Sequence, residues 1–415
     1  MSIDRITTTS AAAEPLRDRR VTTRVGLALA TCFVVCFVTG LLSHWIQHPP
    51  DWFAWISRPA WLYRVTQGLH VISGVTAIPL LLVKLGIVYP KLFERPLIGS
   101  PVRAIERMSI AVLVSSAIFQ LVTGLMNIAQ WYPWRFFFPS AHYAMAYVAI
   151  GALLIHIAVK LPIIRDALES PVDAERTDVT PPAAPEDSGD DDAVDDEDVG
   201  EDDGAGDMTE PAEERDGLGS LLTRRTVLRS AWVAAGIGAV AFAGQTVTPL
   251  RRLAVLAPRS GEGPQALPIN RTAAQAGIVA AAQSPDHRLL LTGPGGEHVL
   301  TLDQLRAMPQ HTVRLPIACV EGWSVEAEWT GVRLADLAAM AGHGGDTDVR
   351  MVSLDRGLYG TADIPIAQVR NPSTLIALRL NGAELDVDHG YPCRLIAPNL
   401  PGVMQTKWLS RIEML

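Results

Sequence analysis

Cysteine is scarce in this sequence, with four residues among 415: Cys32, Cys36, Cys319 and Cys393. So few cysteines, spread so widely, exclude a disulfide-stapled scaffold. No CxxC or paired-histidine spacing lies near Cys319, which excludes the common four-ligand zinc sites around it. A single thiolate suits a metal that is held mostly by a cofactor. The alternative is a small buried apolar side chain, the usual place of a free cysteine.

Nucleic-acid-binding motifs are also lacking, and the net charge of −9 has a local origin. Between Glu169 and Asp216 lie 21 of the 44 acidic residues and only two arginines, so the rest of the chain is basic. This segment has almost no large apolar side chain and cannot bury enough surface to fold. We predict an acidic disordered cytoplasmic linker over residues 166–218. Two roles are open for this linker: a plain solvated tether, or a binding site for a basic partner.

Long apolar runs are abundant, and the mean hydropathy is +0.20. Four runs have about the length of a bilayer crossing and are almost uncharged: Val25 to Ile46, Val65 to Tyr89, Met108 to Ala129 and Ala141 to Ile164. They predict a four-helix transmembrane domain over residues 25–165, in contact with membrane lipid, after a cytoplasmic tail of residues 1–24. Basic residues before the first run and between the second and third place the N-terminus in the cytoplasm of a plasma-membrane protein.

A fifth apolar run, from Ala231 to Val247, follows Arg224 and Arg225. The paired arginines resemble a twin-arginine export signal, although Val227 stands where such signals prefer phenylalanine. The alternative is an ordinary helix flanked by two positive-inside arginines. Residues 219–250 are predicted to hold this motif and a fifth transmembrane helix. Five crossings then place residues 251–415 outside the cytoplasm.

The last segment has short apolar runs separated by turn residues, at 289–291, 312–317, 349–353 and 374–378, which predict strands. Helical patterns lie between them, at 302–308 and 334–341. The predicted fold is therefore multi-domain: an all-α transmembrane bundle of four helices plus a fifth anchor helix, followed by a mixed α+β domain over residues 251–415.

Several sequence blocks follow one another in a fixed order along that domain. They are Cys319-Val-Glu-Gly-Trp-Ser, Trp329-Thr-Gly-Val-Arg-Leu, Ser353-Leu-Asp-Arg-Gly-Leu-Tyr-Gly, Asp388-His-Gly-Tyr-Pro-Cys-Arg-Leu and Gly402-Val-Met-Gln-Thr-Lys-Trp-Leu. In order and spacing they resemble the sulfite oxidase family of molybdenum enzymes. The Cys-Val-Glu variant is most similar to the catalytic subunits of periplasmic protein-methionine-sulfoxide reductases. Sulfite oxidases carry an asparagine and arginines where this chain has Glu321-Gly-Trp323, so we expect a substrate other than sulfite.

The resemblance implies a molybdenum held by the dithiolene of one pyranopterin and by the Cys319 thiolate. It implies an acid near the metal at Glu321, for which the alternative is a surface glutamate. Five further residues are similar to those that contact the pterin and its phosphate: Asn270, Arg271, His389, Arg394 and Lys407. Arg394 and Lys407 each stand in an apolar run, where an unpaired charge is costly, so a bound anion is the simpler interpretation.

Four histidines lie in or near the apolar runs: His44, His70, His142 and His156. His142 and His156 are 14 residues apart, close to four helical turns, so they share one helix face about 21 Å apart. Histidines stacked in this way resemble those of bacterial transmembrane b-type cytochromes, where His70 would supply a partner ligand. One haem b or two would satisfy the pattern. The alternative is a set of interface and packing histidines.

The chain as a whole resembles actinobacterial membrane-bound molybdopterin-dependent oxidoreductases. This resemblance implies oxygen-atom transfer at an extracytoplasmic molybdenum centre, with electrons exchanged through the bundle with the quinone pool or another carrier. The reaction would be reduction of a small-molecule or protein S-oxide, or oxidation of a small substrate. The alternative is a membrane-anchored binding or assembly protein that keeps the molybdopterin fold without turnover.

Overall fold

Five long helices form the N-terminal part of the computed structural model: α1 (Arg19–Gln47), α2 (Leu62–Leu92), α3 (Pro101–Ile128), α4 (Phe138–Glu169) and α5 (Arg224–Ala243). The structure describes residues 19–92, 101–129, 131–133, 138–169, 224–243, 246–257, 263–344, 347–357 and 360–415. Most of the predicted cytoplasmic tail, the linker from residue 170 onward and the start of the twin-arginine motif lie outside the described residues. All four predicted apolar runs fall within α1 to α4, apart from Ala129 directly after α3.

The first four helices are long and apolar enough to cross a membrane, by length and composition. Among the described residues, α5 does not meet the same measure. It packs along α2 in the opposite direction, because Val227 clusters with Ile87 near one end and Phe242 packs against Val71 near the other. α5 therefore runs beside the apolar middle of the bundle.

The C-terminal domain contains ten strands: β1 (Arg288–Gly293), β2 (Gly296–Thr301), β3 (His311–Ala318), β4 (Ser324–Arg333), β5 (Val349–Ser353), β6 (Thr361–Ile364), β7 (Leu375–Leu380), β8 (Ala383–Glu384), β9 (Arg394–Ile396) and β10 (Leu409–Met414). One sheet has the order β2-β1-β10-β5-β6, and the other has the order β3-β4-β7-β8 with β9 also paired to β7. The β1–β10 pair is parallel, and every other pair in the two sheets is antiparallel.

Short helices lie before and between these strands, at Ala273–Ala276, Val279–Ala282, Leu302–Ala307, Leu334–Met340 and Ile366–Val369. The sequence pattern predicted the third and fourth of them to within one residue. Each predicted strand segment likewise lies in a strand, with Thr374 directly before β7. Helices and two sheets confirm the mixed α and β character expected of this domain.

The segment that joins the two sheets places the functional residues. Leu395, in β9, donates its backbone N–H to Thr406, and Leu409, in β10, donates to Cys393. The chain between β9 and β10 therefore folds back on itself and brings residues from both of its ends together. The β3–β4 hairpin belongs to the same sheet as β9, and its connecting residues, 319–323, reach the same region.

The C-terminal domain packs directly on the end of the bundle where α1 ends and α2 begins. Asn399 holds this contact: its Nδ2 donates to the carbonyls of Ile56 (2.9 Å) and Pro59 (2.8 Å), and its Oδ1 accepts from the Tyr63 backbone N–H (3.2 Å). The Asn399 carbonyl also accepts from the Trp55 indole (3.1 Å). Asn399 is 3% exposed, so these polar groups are paired away from water.

Candidate functional site

Cys319 stands at the tip of the β3–β4 hairpin, directly after the buried end of β3. Its backbone N–H donates to the Trp323 carbonyl and its carbonyl accepts from the Gly322 N–H, both at 3.0 Å. Gly322 has φ +92°, a left-handed conformation that favours glycine. A tight turn therefore fixes the direction of the Cys319 side chain, which is 2% exposed.

Cys319 lines a cavity of about 220 Å³ together with all five residues that the sequence predicts to contact a pterin: Asn270, Arg271, His389, Arg394 and Lys407. These residues come from four separate parts of the chain. A Cβ on Gly402, which also lines the cavity, would lie 2.9 Å from the Ala318 carbonyl oxygen, so only glycine fits behind the hairpin tip. The fold thus brings Cys319 and the five residues predicted to contact a pterin together in the wall of one cavity.

Arg394 gives this wall a buried positive charge. Its Nη1 donates to the His389 carbonyl (2.9 Å), its Nη2 donates to the Gln405 carbonyl (3.1 Å), and the guanidinium lies 5.1 Å from the Trp329 ring centroid. Burial lowers the pKa of Arg394 to about 9, so it is still protonated at pH 7. Within the described parts of the chain, no carboxylate forms a salt bridge with it.

Lys407 is the second cation of the wall. Its Nζ donates to three neutral oxygens, Asn270 Oδ1 (3.1 Å) and the carbonyls of Arg271 (2.6 Å) and Asp388 (3.0 Å). Burial lowers the pKa of Lys407 to about 7, with a further contribution from Arg394. Two cations facing one cavity create a site for an anion.

The cavity also offers hydrogen-bond acceptors. The His389 Nε2–H donates to the Pro264 carbonyl (2.7 Å), and burial lowers the pKa of His389 to about 4, so Nδ1 is a neutral acceptor. The Gln405 Nε2 donates to the Leu400 carbonyl (3.1 Å), whereas its buried Oε1 has no donor among the described residues. Gln405 was not among the predicted site residues. Its place in the Gly402 block is the signal that could have identified it.

Arg271 differs from the other cations because it is paired. Its Nε lies 2.7 Å from Asp355 Oδ2 and its Nη2 lies 3.2 Å from Asp355 Oδ1, a two-point contact. Asp355 in turn accepts from the Gly357 N–H (2.9 Å). Asp355 therefore orients Arg271 at the edge of the cavity, which gives a position in the Ser353 block a structural role.

Glu321 is not a surface residue. It is fully buried, and its Oε2 accepts from the Trp323 indole at 2.8 Å. Its neighbours Val320 and Trp323 line the cavity, but Glu321 itself is not part of that wall. The carboxylate lies behind the hairpin tip, two residues from Cys319.

A second cavity, of about 240 Å³, lies within the helix bundle and is lined mostly by apolar residues. Three of the four predicted histidines line it: His44, His70 and His142. His156 lies on α4 with His142, as predicted, but does not line this cavity. His48, which the sequence gave no reason to select, does line it.

Hydrogen bonds fix the ring orientation of the two central histidines. The His70 Nδ1 lies 3.0 Å from the Cys36 carbonyl, which can only accept, so Nδ1 carries the proton. The His142 Nδ1 lies 2.8 Å from Thr123 Oγ1, whose own proton is donated to the Phe119 carbonyl (2.6 Å). Both rings are thereby left with an unprotonated Nε2, the form that binds a metal.

The two cavities share a wall. Val320, directly after Cys319, lines both of them. Thr246, just beyond α5, donates to the Gly322 carbonyl at 2.7 Å and so ties the hairpin tip to the bundle. Tyr132, from the loop between α3 and α4, lines the Cys319 cavity and donates to Asn127, which lines the bundle cavity.

These residues fit a molybdopterin. Two buried cations suit a phosphate, the free Gln405 Oε1 and His389 Nδ1 suit pterin N–H groups, and Cys319 supplies a thiolate. Among the described residues, no group of three or more His, Cys, Asp or Glu side chains could hold a metal ion. A metal at Cys319 would thus depend on a cofactor for its other ligands.

The comparisons with known proteins agree with this geometry. Residues 276–415 match the family model described as "Oxidoreductase molybdopterin binding domain". Residues 276–415 are therefore similar to molybdopterin-binding oxidoreductase domains, including those of sulfite oxidases. The match supports molybdenum–molybdopterin as the cofactor of this domain.

Three relatives show how far the similarity of the molybdopterin domain extends. Mitochondrial sulfite oxidase of Mus musculus is 34% identical over 156 residues, 31% of this chain and 29% of that protein. Sulfite oxidase of Gallus gallus is 32% identical over 165 residues, 32% of this chain and 36% of that protein. An uncharacterized oxidoreductase of Bacillus subtilis (strain 168), YuiH, is 30% identical over 116 residues, 28% of this chain and 58% of that protein.

These matches cover about a third of this chain, and the chain spans about a third of the sulfite oxidases that it matches. A solved structure, the sulfane dehydrogenase SoxCD from Paracoccus pantotrophus, is 25% identical over 31% of this chain and 38% of that chain. Its TM-score of 0.29 is too low to support an argument about fold.

Proposed function

We propose that this protein is a membrane-bound molybdopterin-dependent oxidoreductase. Its extracytoplasmic domain would transfer an oxygen atom to or from a small-molecule or protein-bound substrate, and its bundle would exchange electrons with the quinone pool or another carrier. The observation that carries the proposal is the shared wall at Val320, because it puts a Cys319-lined cofactor cavity against a histidine-lined bundle cavity.

The residues of the molybdopterin domain would act as follows. Arg394 and Lys407 would hold the cofactor phosphate, Arg271 would close the cavity edge, and Cys319 would bind molybdenum. When bound, the cofactor supplies two-electron oxygen-atom transfer chemistry. Glu321 would hold or release a proton close to the hairpin tip, where its Oε2 accepts from the Trp323 indole.

The exposed surface of the bundle supports a membrane location. Only 11% of the most apolar window of α4 is buried inside the protein, and Leu154, Ile155 and Val159 are each more than half exposed. Exposed apolar surface on this scale is costly in water and typical of helices in contact with lipid. The molybdopterin domain packs on one end of the bundle, which supports its placement on one side of the membrane.

The bundle cavity supports a haem b held by His70 and His142. Both histidines line it, and both have Nδ1 engaged and Nε2 free. A Cβ on Gly40 would lie 3.0 Å from His70 Cε1, so a glycine keeps space beside that ring. His156 lies outside the cavity wall, and the arrangement therefore favours one haem in this cavity over two.

Metal and pterin analysis of the detergent-solubilised protein, together with a reduced-minus-oxidised spectrum, tests the proposal. We expect molybdenum, pterin and a b-type haem band. Cys319→Ser should lose oxygen-atom transfer while it retains pterin. Cys393→Ser is the matched control, because Cys393 is fully buried in the same domain outside the cavity wall. Protein purified without molybdenum and pterin would instead indicate a binding or assembly role.

The haem assignment has its own test. His70→Ala and His142→Ala should each remove the b-type band, whereas His156→Ala should preserve it, because only the first two line the bundle cavity. A spectrum that disappears in the His156 variant and persists in the other two would refute the assignment.

A further inference from the structure

Tyr63 occupies the boundary between the bundle and the molybdopterin domain. It lies in the first turn of α2, is 2% exposed, and belongs to the same buried cluster as Ala318 and Leu400 of the outer domain. Its backbone N–H donates to Asn399 Oδ1 at 3.2 Å. Both halves of the chain therefore fix the position of this ring.

The Tyr63 hydroxyl points toward the bundle cavity. It donates to Gln67 Oε1 (3.2 Å) and lies 3.1 Å from Ser43 Oγ, which is close enough for a second hydrogen bond. Ser43 and Gln67 both line the bundle cavity. Gln47, another lining residue, donates to the Ser43 hydroxyl at 3.4 Å. The hydroxyl is thus connected to the wall of the cavity that contains His70.

The same ring packs in one buried cluster with Ala318, the residue directly before Cys319. Beside it, Val320 forms the wall common to both cavities, but its side chain is apolar and makes no hydrogen bond. A buried tyrosine usually pairs its hydroxyl simply to satisfy it. Here the hydroxyl bonds to residues that line the bundle cavity, and the ring packs beside the hairpin that contains Cys319. A tyrosine that only needed a hydrogen-bond partner would not have to lie between the two sites.

We propose that Tyr63, hydrogen-bonded to Ser43 and Gln67, is the residue that couples the molybdopterin site electronically to the bundle cavity. The inference rests on the proposed function, since it requires a redox centre in each cavity. In the reductive direction, a quinol would be oxidised to the quinone with release of two protons, and its two electrons would pass one at a time to the bound molybdenum centre, which would be reduced. No bond forms or breaks at Tyr63, and its hydroxyl keeps its proton.

The test follows electrons delivered to the full-length, detergent-solubilised protein by a soluble quinol, menadiol. Reduction of the haem is read from its visible band, and arrival at molybdenum is read from the molybdenum electron paramagnetic resonance signal on rapid freezing. Tyr63→Phe keeps the ring and the backbone bond to Asn399 but removes the hydroxyl. We expect haem reduction at the normal rate and arrival at molybdenum slower by about tenfold, a barrier higher by about 1.4 kcal/mol.

Ser43→Ala removes one of the two hydrogen bonds between the hydroxyl and the wall of the bundle cavity without changing the buried tyrosine, and it should slow the same step. Tyr147→Phe is the matched control, because Tyr147 is half-exposed on α4, bonds to Tyr143 (2.7 Å) and lines neither cavity. Its rates should be those of the unaltered protein.

The outcomes separate the two proposals. Protein that lacks molybdenum or haem contradicts the proposed function. Protein that contains both, with arrival at molybdenum unchanged in Tyr63→Phe and Ser43→Ala, overturns the role of Tyr63 alone. Slowing in Tyr132→Phe without slowing in Tyr63→Phe would also overturn it, and would assign the route to the loop between α3 and α4.

Discussion

Replacing Arg394 by methionine separates cofactor binding from fold stability. Burial lowers the pKa of Arg394 from 12.5 to about 9, which corresponds to a cost of about 5 kcal/mol for burying the charged form. Its hydrogen bonds to the His389 and Gln405 carbonyls recover about 1.5 to 3 kcal/mol each. The two contributions nearly cancel, so Arg394→Met should change the stability of cofactor-free protein by less than about 2 kcal/mol.

The cofactor-loaded protein should respond very differently. A phosphate held by a buried guanidinium loses about 2 to 5 kcal/mol when that partner is truncated, or roughly 30-fold to several-thousand-fold in affinity. Arg394→Lys keeps the charge but not the planar fork, so its affinity for the cofactor should fall between those of the unaltered protein and Arg394→Met.

Two measurements on the same preparations decide the matter. Pterin content after purification reports cofactor retention. The midpoint temperature of unfolding of cofactor-depleted protein reports stability, and a shift of about 2 to 4 °C corresponds to 1 kcal/mol for a domain of this size. We expect pterin to be lost with a midpoint shift of less than about 8 °C. Full pterin content with a strongly lowered midpoint would show that Arg394 is a structural residue and refute the anion-site reasoning.

Three further predictions concern single contacts. Lys407 has a pKa of about 7 in the cofactor-free protein, and a bound anion raises that pKa. Phosphate affinity measured by calorimetry should therefore fall as the pH rises above 7, by up to about tenfold per pH unit. Asn399→Ala removes three hydrogen bonds between the halves, so limited proteolysis near residues 55–63 should be faster while pterin content stays normal. Glu321→Gln keeps an acceptor for the Trp323 indole, so folding should be unchanged. The pH profile of turnover should lose one ionisation, and an unaltered profile would show that Glu321 takes no part in proton transfer.

Much of this architecture could be predicted because it follows from local patterns. Uncharged runs of bilayer length can only be buried helices or lipid-facing ones, and α1 to α4 lie where they predicted. The apolar runs around Arg394 and Lys407 supported a bound anion at the residues that the resemblance selected, since a buried cation needs a partner. Cys319 and the pterin-contacting set required the family resemblance, because residues 270 to 407 meet only after two sheets have formed.

Other features depend on contacts between distant segments and leave no local signal. By its sequence Glu321 could be a surface residue or an active-site acid, and the fold buries it behind the hairpin tip, away from the surface. His48 stands among prolines, yet it lines the bundle cavity. Asn399 gives no sign in the sequence of its four hydrogen bonds to residues 55–63. Each of these roles arises at the contact between the two halves, which neither half encodes alone.

The position of α5 shows how that contact constrains the whole topology. Thr246 reaches the hairpin tip just beyond the end of α5, while Val227, near its start, packs against Ile87 close to the other end of α2. The chain must therefore pass from one end of the bundle to the other within the 20 residues of α5, about 30 Å at 1.5 Å per residue. That length matches the hydrocarbon thickness of a bilayer. If α1 to α4 cross the membrane as proposed, we infer that α5 crosses it too, even though its glycine- and alanine-rich sequence is less apolar than theirs.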